Sequence, residues 1–171
     1  KEDYIAMLDW SLTQNEYPVA IKVPGGSMIS TGVSVTKDFS KLDTYEITKK
    51  GSRVAILGLG TFYETAVKAA NILKTSHGID ATVINPYYIS GIDANTLNEL
   101  KKDHAVVATL EDGYLEGGFG AKIAAFYGSS DMKVLNFGIK KEFIDRYDVA
   151  EVIKDNHLTP EQIAEDIAAT L

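Results

Sequence analysis

Thr109-Leu110-Glu111-Asp112-Gly113-Tyr114-Leu115-Glu116-Gly117-Gly118-Phe119-Gly120 is the stretch whose reading decides the fold. It follows an apolar run, Ala105 to Leu110, that reads as a buried strand. It precedes Ala121 to Tyr127, which reads as a helix ended by Gly128. An acidic pair, Glu111 and Asp112, therefore stands where a strand ends, and Gly117, Gly118 and Gly120 stand where a helix begins. In open α/β sheets that edge is where function gathers. Glycine there permits positive φ or a close approach of backbone or ligand.

Working outward, strand and helix patterns alternate on both sides. Arg53 to Gly58 reads as a strand, and Thr61 with Glu64 as a capping box opening a helix that buries Ala66, Ala69, Ala70 and Leu73 up to Gly78. Ala81 to Ile84 is a second strand, and Asp93 caps a helix carrying Leu97 and Leu100. Lys133 to Phe137 is a fourth strand. Val149 to Lys154 is a short helix, and Thr159-Pro160-Glu161-Gln162 opens the last one, with Ile163, Ile167 and Leu171 on one face. Tyr45 to Lys50 alternates and, with Arg53 to Gly58 beyond Gly51-Ser52, reads as an antiparallel entry into a new sheet. This rhythm predicts a three-layer αβα fold with a mostly parallel five-stranded sheet and one antiparallel strand. Upstream, Glu2 to Glu16 reads as an amphipathic helix and Val19 to Val23 as a short strand. Residues 24–44 are rich in Ser, Thr, Gly and Asp and read as a linker. The chain begins at Lys1 inside a periodic pattern, so we read it as a piece of a longer polypeptide.

Composition narrows the class. The net charge of −7 over 171 residues argues against nucleic acid or an anionic membrane as partner. The absence of cysteine excludes disulfides, thiolate metal sites and cysteine nucleophiles, and fits a cytoplasmic protein. No apolar run approaches the roughly 18 residues of a membrane span.

Each chemical motif has a plain structural reading beside it. Gly58-Leu59-Gly60 follows a strand, but Tyr63 replaces the third glycine of a dinucleotide fingerprint and Asn85-Pro86 ends the next strand without a ribose-binding acid. A tight strand-to-helix turn explains it. Glu111 and Asp112 are an acid–base candidate, although neighbours leaving a strand point apart. Gly117, Gly118 and Gly120 suit an anion at a helix N-terminus, or close packing of that helix on the sheet or a partner chain. His77, His104 and His157 show no ligand spacing, so no metal site is expected. The Ser/Thr run from Ser27 to Thr36 lacks a nucleophile elbow.

Taken together, Val19-Ala20-Ile21 and Pro24, then Gly51-Ser52-Arg53-Val54-Ala55-Ile56-Leu57-Gly58 with Gly60-Thr61, then Glu111 to Gly120, resemble the C-terminal part of transketolase-like, thiamine-diphosphate-dependent enzymes. The nearest group is the 1-deoxy-D-xylulose-5-phosphate synthases of isoprenoid biosynthesis; Asn136 to Ile139, Phe143-Ile144 and the closing helix also fit their order. The resemblance implies residues 1–23 as the tail of a pyrimidine-binding domain, 24–44 as linker and 45–171 as the transketolase-type C-terminal domain. It implies thiamine diphosphate and Mg²⁺ bound outside this chain, no catalytic or cofactor-binding residue within it, and a role in dimer contacts and the active-site border. Its partners would be the upstream domains of the same enzyme or the partner subunit of a split one, in a homodimer. Two departures stand out. Gly25 occupies the place of a family arginine that contacts substrate phosphate, and Arg146-Tyr147 stand where the family has His-Gly. Gly25 and Arg146 are therefore the candidate substrate-border positions, with Arg146 able to restore a cation. The competing reading is a free-standing regulatory or interaction domain that binds a small anion at Gly117 to Gly120.

Overall fold

The computed structural model describes residues Lys1 to Leu171, which divide into two compact units, Lys1–Leu42 and Asp43–Leu171.

The first unit holds one helix, α1 (Glu2–Thr13). It stops three residues short of the expected Glu16, because Gln14 is extended and its side-chain oxygen takes the N–H groups of Glu16 and Tyr17. The Glu2 carboxylate accepts from the Ser30 hydroxyl and from the N–H groups of Thr31 and Gly32, folding that segment back onto the helix start. The Ser30 hydrogen bond is the main reason the Glu2 carboxyl is held down at about 2. No residue of α1 is buried within this chain; Ile5, Leu8 and Leu12 lie exposed. Val19 to Val23 is not a strand: it runs without a ladder partner. An apolar β-type run forms a strand only where another strand supplies its hydrogen bonds.

The second unit is a five-stranded sheet in the order β1-β3-β2-β4-β5, built from β1 (Glu46–Lys49), β2 (Arg53–Gly58), β3 (Thr82–Asn85), β4 (His104–Tyr114) and β5 (Lys133–Ile139). Pairings among β2, β3, β4 and β5 are parallel, and β1 is the single antiparallel strand. It pairs with β3. The connection to β2 turns at Arg53, whose φ is +68°, and at Gly51, where a Cβ would meet the Asp80 carbonyl oxygen at 2.0 Å. Asp80 further binds Lys49 of β1 at 2.8 Å and Lys74 of the following helix at 3.1 Å.

Period-two alternation assigns the layers. Val54 and Ile56 of β2 and Val106, Ala108 and Leu110 of β4 face one core with α2 (Phe62–His77) and α6 (Pro160–Thr170). Ala55, Leu57 and Val107 face the other core with α3 (Ala94–Leu100) and α4 (Phe119–Tyr127). The alanines of α2, Ala66, Ala69 and Ala70, are fully buried, and Gly78 ends that helix in the left-handed conformation with its N–H on the Leu73 carbonyl. Thr61 is its N-cap residue, yet the expected capping box does not form: its backbone is already helical (φ −62°, ψ −24°), its side chain makes no cap bond, and Glu64 lies by Lys68. The capping box at Thr159 and Gln162 does form. Leu171 lies partly exposed beyond α6 while Ile163 and Ile167 are buried. The loop from Lys140 leads to α5 (Val149–Asp155), capped by Asp148.

Asp93 joins β1 to α3. Its carboxylate accepts from Thr96 N–H and hydroxyl and from Tyr45 N–H at 2.8–3.0 Å. Burial pushes this carboxyl up, but those hydrogen bonds together outweigh it and hold it below its ordinary value. The stability it contributes is therefore complete above the unfolded value and lost as pH falls through the folded one. Asp93→Ala should cost about 1 kcal/mol at neutral pH. Asp93→Asn should flatten part of the stability loss seen in chemical denaturation between about pH 5 and pH 3.

Candidate functional site

Alternation along β4 decides where the acidic pair goes. Val107, Thr109 and Glu111 share the face covered by α4, and Glu111 meets the start of that helix. Its carboxylate accepts the Phe119 N–H through Oε2 and the Gly120 N–H through Oε1, both at 2.8 Å. The residue is only 5% exposed. A carboxylate on the first free N–H groups of a helix satisfies orphan donors and complements the helix dipole. Charge-assisted bonds of this kind are the stronger class.

The strand runs further than the apolar pattern implies. β4 continues to Tyr114, and Leu110 pairs with Phe137 while Tyr114 pairs with Ile139. Four residues of β4 thus advance against two of β5, a bulge at Glu111-Asp112-Gly113. It lets Glu111 stay on the helix face while Asp112 is exposed. Helix α4 likewise starts at Phe119, two residues before the expected position, with Gly120 inside it.

The glycines fit this clamp. A Cβ on Gly118 would lie 2.5 Å from Glu111 Oε2 and 2.5 Å from the Tyr114 carbonyl oxygen. On Gly120 it would lie 2.5 Å from Thr109 Oγ1 and 2.7 Å from Asn136 Oδ1. Gly117 supplies the turn, with φ +74°. Thr109 donates to Asn136 across the β4–β5 ladder at 2.8 Å. The sequence reading missed Thr109 and Asn136; their signal was a polar residue in the middle of each of two otherwise apolar strands.

The remaining candidates lie elsewhere. Gly25 is exposed in the first unit, and nothing lies within 4 Å of its Cβ direction. Arg146 is exposed on the loop between β5 and α5, in the left-handed region at φ +49°. Gly58 packs tightly on the start of α2, where a Cβ would meet Tyr63 Cα at 2.6 Å, so the Gly58-Leu59-Gly60 turn is a packing device.

The donors in this chain do not fit a thiamine diphosphate or Mg²⁺ site. The buried carboxylate, Glu111, is engaged by two backbone N–H groups, and those N–H groups are thereby engaged in turn. No three His, Asp or Glu side chains converge on one point.

The second unit is thus a three-layer αβα fold with one antiparallel edge strand and a glutamate-clamped helix after β4. The family model for the transketolase C-terminal domain matches residues 43–163, and the chain belongs to that family. Among curated relatives, 1-deoxy-D-xylulose-5-phosphate synthase of Clostridium acetobutylicum is 34% identical over 169 residues, covering 97% of this chain and 27% of the relative. The synthase of Exiguobacterium sibiricum is 30% identical, covering 97% of this chain and 26% of the relative. The chain thus spans about a quarter of the length of these relatives. A solved structure described as split gene transketolase, inactive beta4 tetramer, superposes with a TM-score of 0.68 at 23% identity, over 85% of this chain and 46% of that one. At that identity the likeness speaks for the fold. No helix is long and apolar enough to cross a membrane.

Glu111→Ala should cost about 2–4 kcal/mol, because two buried N–H groups lose their charged acceptor. Gly118→Ala should cost about 1–3 kcal/mol through the clash with the same carboxylate. Urea denaturation of both variants checks this; a cost below about 0.5 kcal/mol for Glu111→Ala would contradict the clamp.

Proposed function

We propose that this chain serves as the C-terminal domain of a thiamine-diphosphate-dependent transferase, a 1-deoxy-D-xylulose-5-phosphate synthase or a transketolase-like enzyme. The supporting observation is one of extent. The match to the synthases runs over 97% of this chain but only 27% of the relative. In this reading the chemistry belongs to the part of those enzymes that this chain does not match. Bound there, the cofactor would supply the transfer of a two-carbon or acyl unit from a 2-keto donor to an aldehyde. In this reading the Asp43–Leu171 unit, with α4 held on the sheet by the Glu111 clamp, supports contacts between subunits of a homodimer and borders the active site. Gly25 and Arg146 belong to that border in this reading. The other domains come from the same polypeptide or from a separate subunit, in the cytoplasm.

Calorimetric titration with thiamine diphosphate and Mg²⁺ tests this. The chain alone should give no binding heat. The chain mixed with the polypeptide of the same organism that carries the other two domains should bind the cofactor and turn over. Tight binding by the chain alone would overturn the assignment, as would full turnover by the other polypeptide without it.

A further inference from the structure

Glu2 does more than begin α1. Its carboxylate gathers three donors from a segment far along the chain: the Ser30 hydroxyl on Oε1, the Thr31 N–H on Oε2 at 3.2 Å and the Gly32 N–H on Oε1 at 3.4 Å. Bonds to a charged acceptor are the stronger class. Gly32 lies in the left-handed region at φ +68°, and turns of this kind aim successive N–H groups at one anion. The Thr31 hydroxyl accepts the Val33 N–H at 3.3 Å, which tightens the same turn.

The far end of α1 has a fastening of its own. The Gln14 side chain accepts from the Glu16 and Tyr17 N–H groups and donates to the Tyr17 carbonyl at 2.9 Å. The chain therefore leaves the helix through a fixed turn and is caught again at the helix start. A helix of 12 residues is about 18 Å long. The stretch from Pro18 to Ile29 reaches roughly 40 Å when extended, so it spans that length with slack. Val23, Met28 and Ile29 on it are exposed, and Gly25 and Gly26 have no atom within 4 Å of their Cβ directions. A thinly packed segment of this kind takes its order from the contacts at its ends.

We propose that Glu2 and residues 30–32 form a clasp that closes the chain from Gln14 to Ile29 into an ordered strap, and that the strap opens when the Glu2 carboxylate is removed. The first part of the stretch whose composition reads as a linker is then tied to α1 as far as Gly32, and only the residues beyond it act as a tether. Closed, the strap fixes the course of the chain that carries Gly25; open, it frees that chain at both glycines. The clasp stands on the contacts within this unit, whereas its consequence for Gly25 as a border position rests on the function proposed above.

Backbone ¹⁵N relaxation of the chain reads this residue by residue. In the unaltered chain the order parameters of Thr31 and Gly32 should lie near the rigid value of about 0.85. In Glu2→Ala those of Thr31, Gly32 and residues 19–29 should fall below about 0.6 while α1 keeps its order. Glu16→Ala, which removes a carboxylate beyond the other end of α1, is the control and should change none of them. Limited digestion with trypsin gives a second reading. Cleavage after Lys22 should be at least about fivefold faster in Glu2→Ala, and faster also in Gly32→Ala, where a side chain strains the positive φ. Unchanged order parameters in Glu2→Ala, or values below about 0.6 at Thr31 and Gly32 before any substitution, would overturn the clasp. Loss of order throughout α1 in Glu2→Ala would overturn it as well, making Glu2 a support of the helix alone. Each of these failures leaves the proposed function standing, because that reading is decided by the cofactor titration.

Discussion

The buried carboxylate of Glu111 is the contact on which the site's geometry depends. It stands at the end of a strand that is otherwise apolar and occupies the first N–H groups of α4. A buried charge is tolerated only when its lone pairs are met, and here helix donors meet them. Much else follows from that one demand. The helix must begin within hydrogen-bond reach of the strand end, so Gly118 and Gly120 can carry no side chain. The strand must bulge, so that Glu111 keeps its face while β4 goes on to Tyr114. The same bulge sets where the chain after β4 lies beside the chain after β5.

That arrangement bears on function. A glycine-rich helix start beside an acidic pair has the composition of an anion or catalytic site. In this domain the anion at the helix start is the protein's own. The N–H groups of Phe119 and Gly120 already hold an acceptor, and an incoming phosphate would have to displace a carboxylate at the same place. The constellation is thus best understood as a joint that fixes one helix on the sheet.

Much of this was legible in the sequence, because the relevant forces are local. The alanine face of α2, the cap at Asp93 and the Thr159–Gln162 box each depend on residues within a turn or two of one another. Strand-to-helix alternation and the buried run before Glu111 gave the sheet and the edge that matters. The failures were of longer range. Nothing local to Val19–Val23 says whether a strand lies beside it. Nothing in Tyr45–Lys50 says that its neighbour is β3 and not the strand that follows it, since that depends on the close approach of Gly51 to Asp80. At the site, the glycines were legible but their occupant was not. Alternation puts Thr109 and Glu111 on one face, but only the register against β5 and the position of α4 show Glu111 filling the place of a ligand.

The most direct test is an NMR titration of the ¹⁵N-labelled chain with inorganic phosphate and with thiamine diphosphate plus Mg²⁺, following the Phe119 and Gly120 amides. If Glu111 clamps the helix, both resonances stay in place with either ligand, and both move in Glu111→Gln before any ligand is added. Saturable shifts of these two amides in the unaltered chain would contradict the account and return the helix start to the role of an anion site.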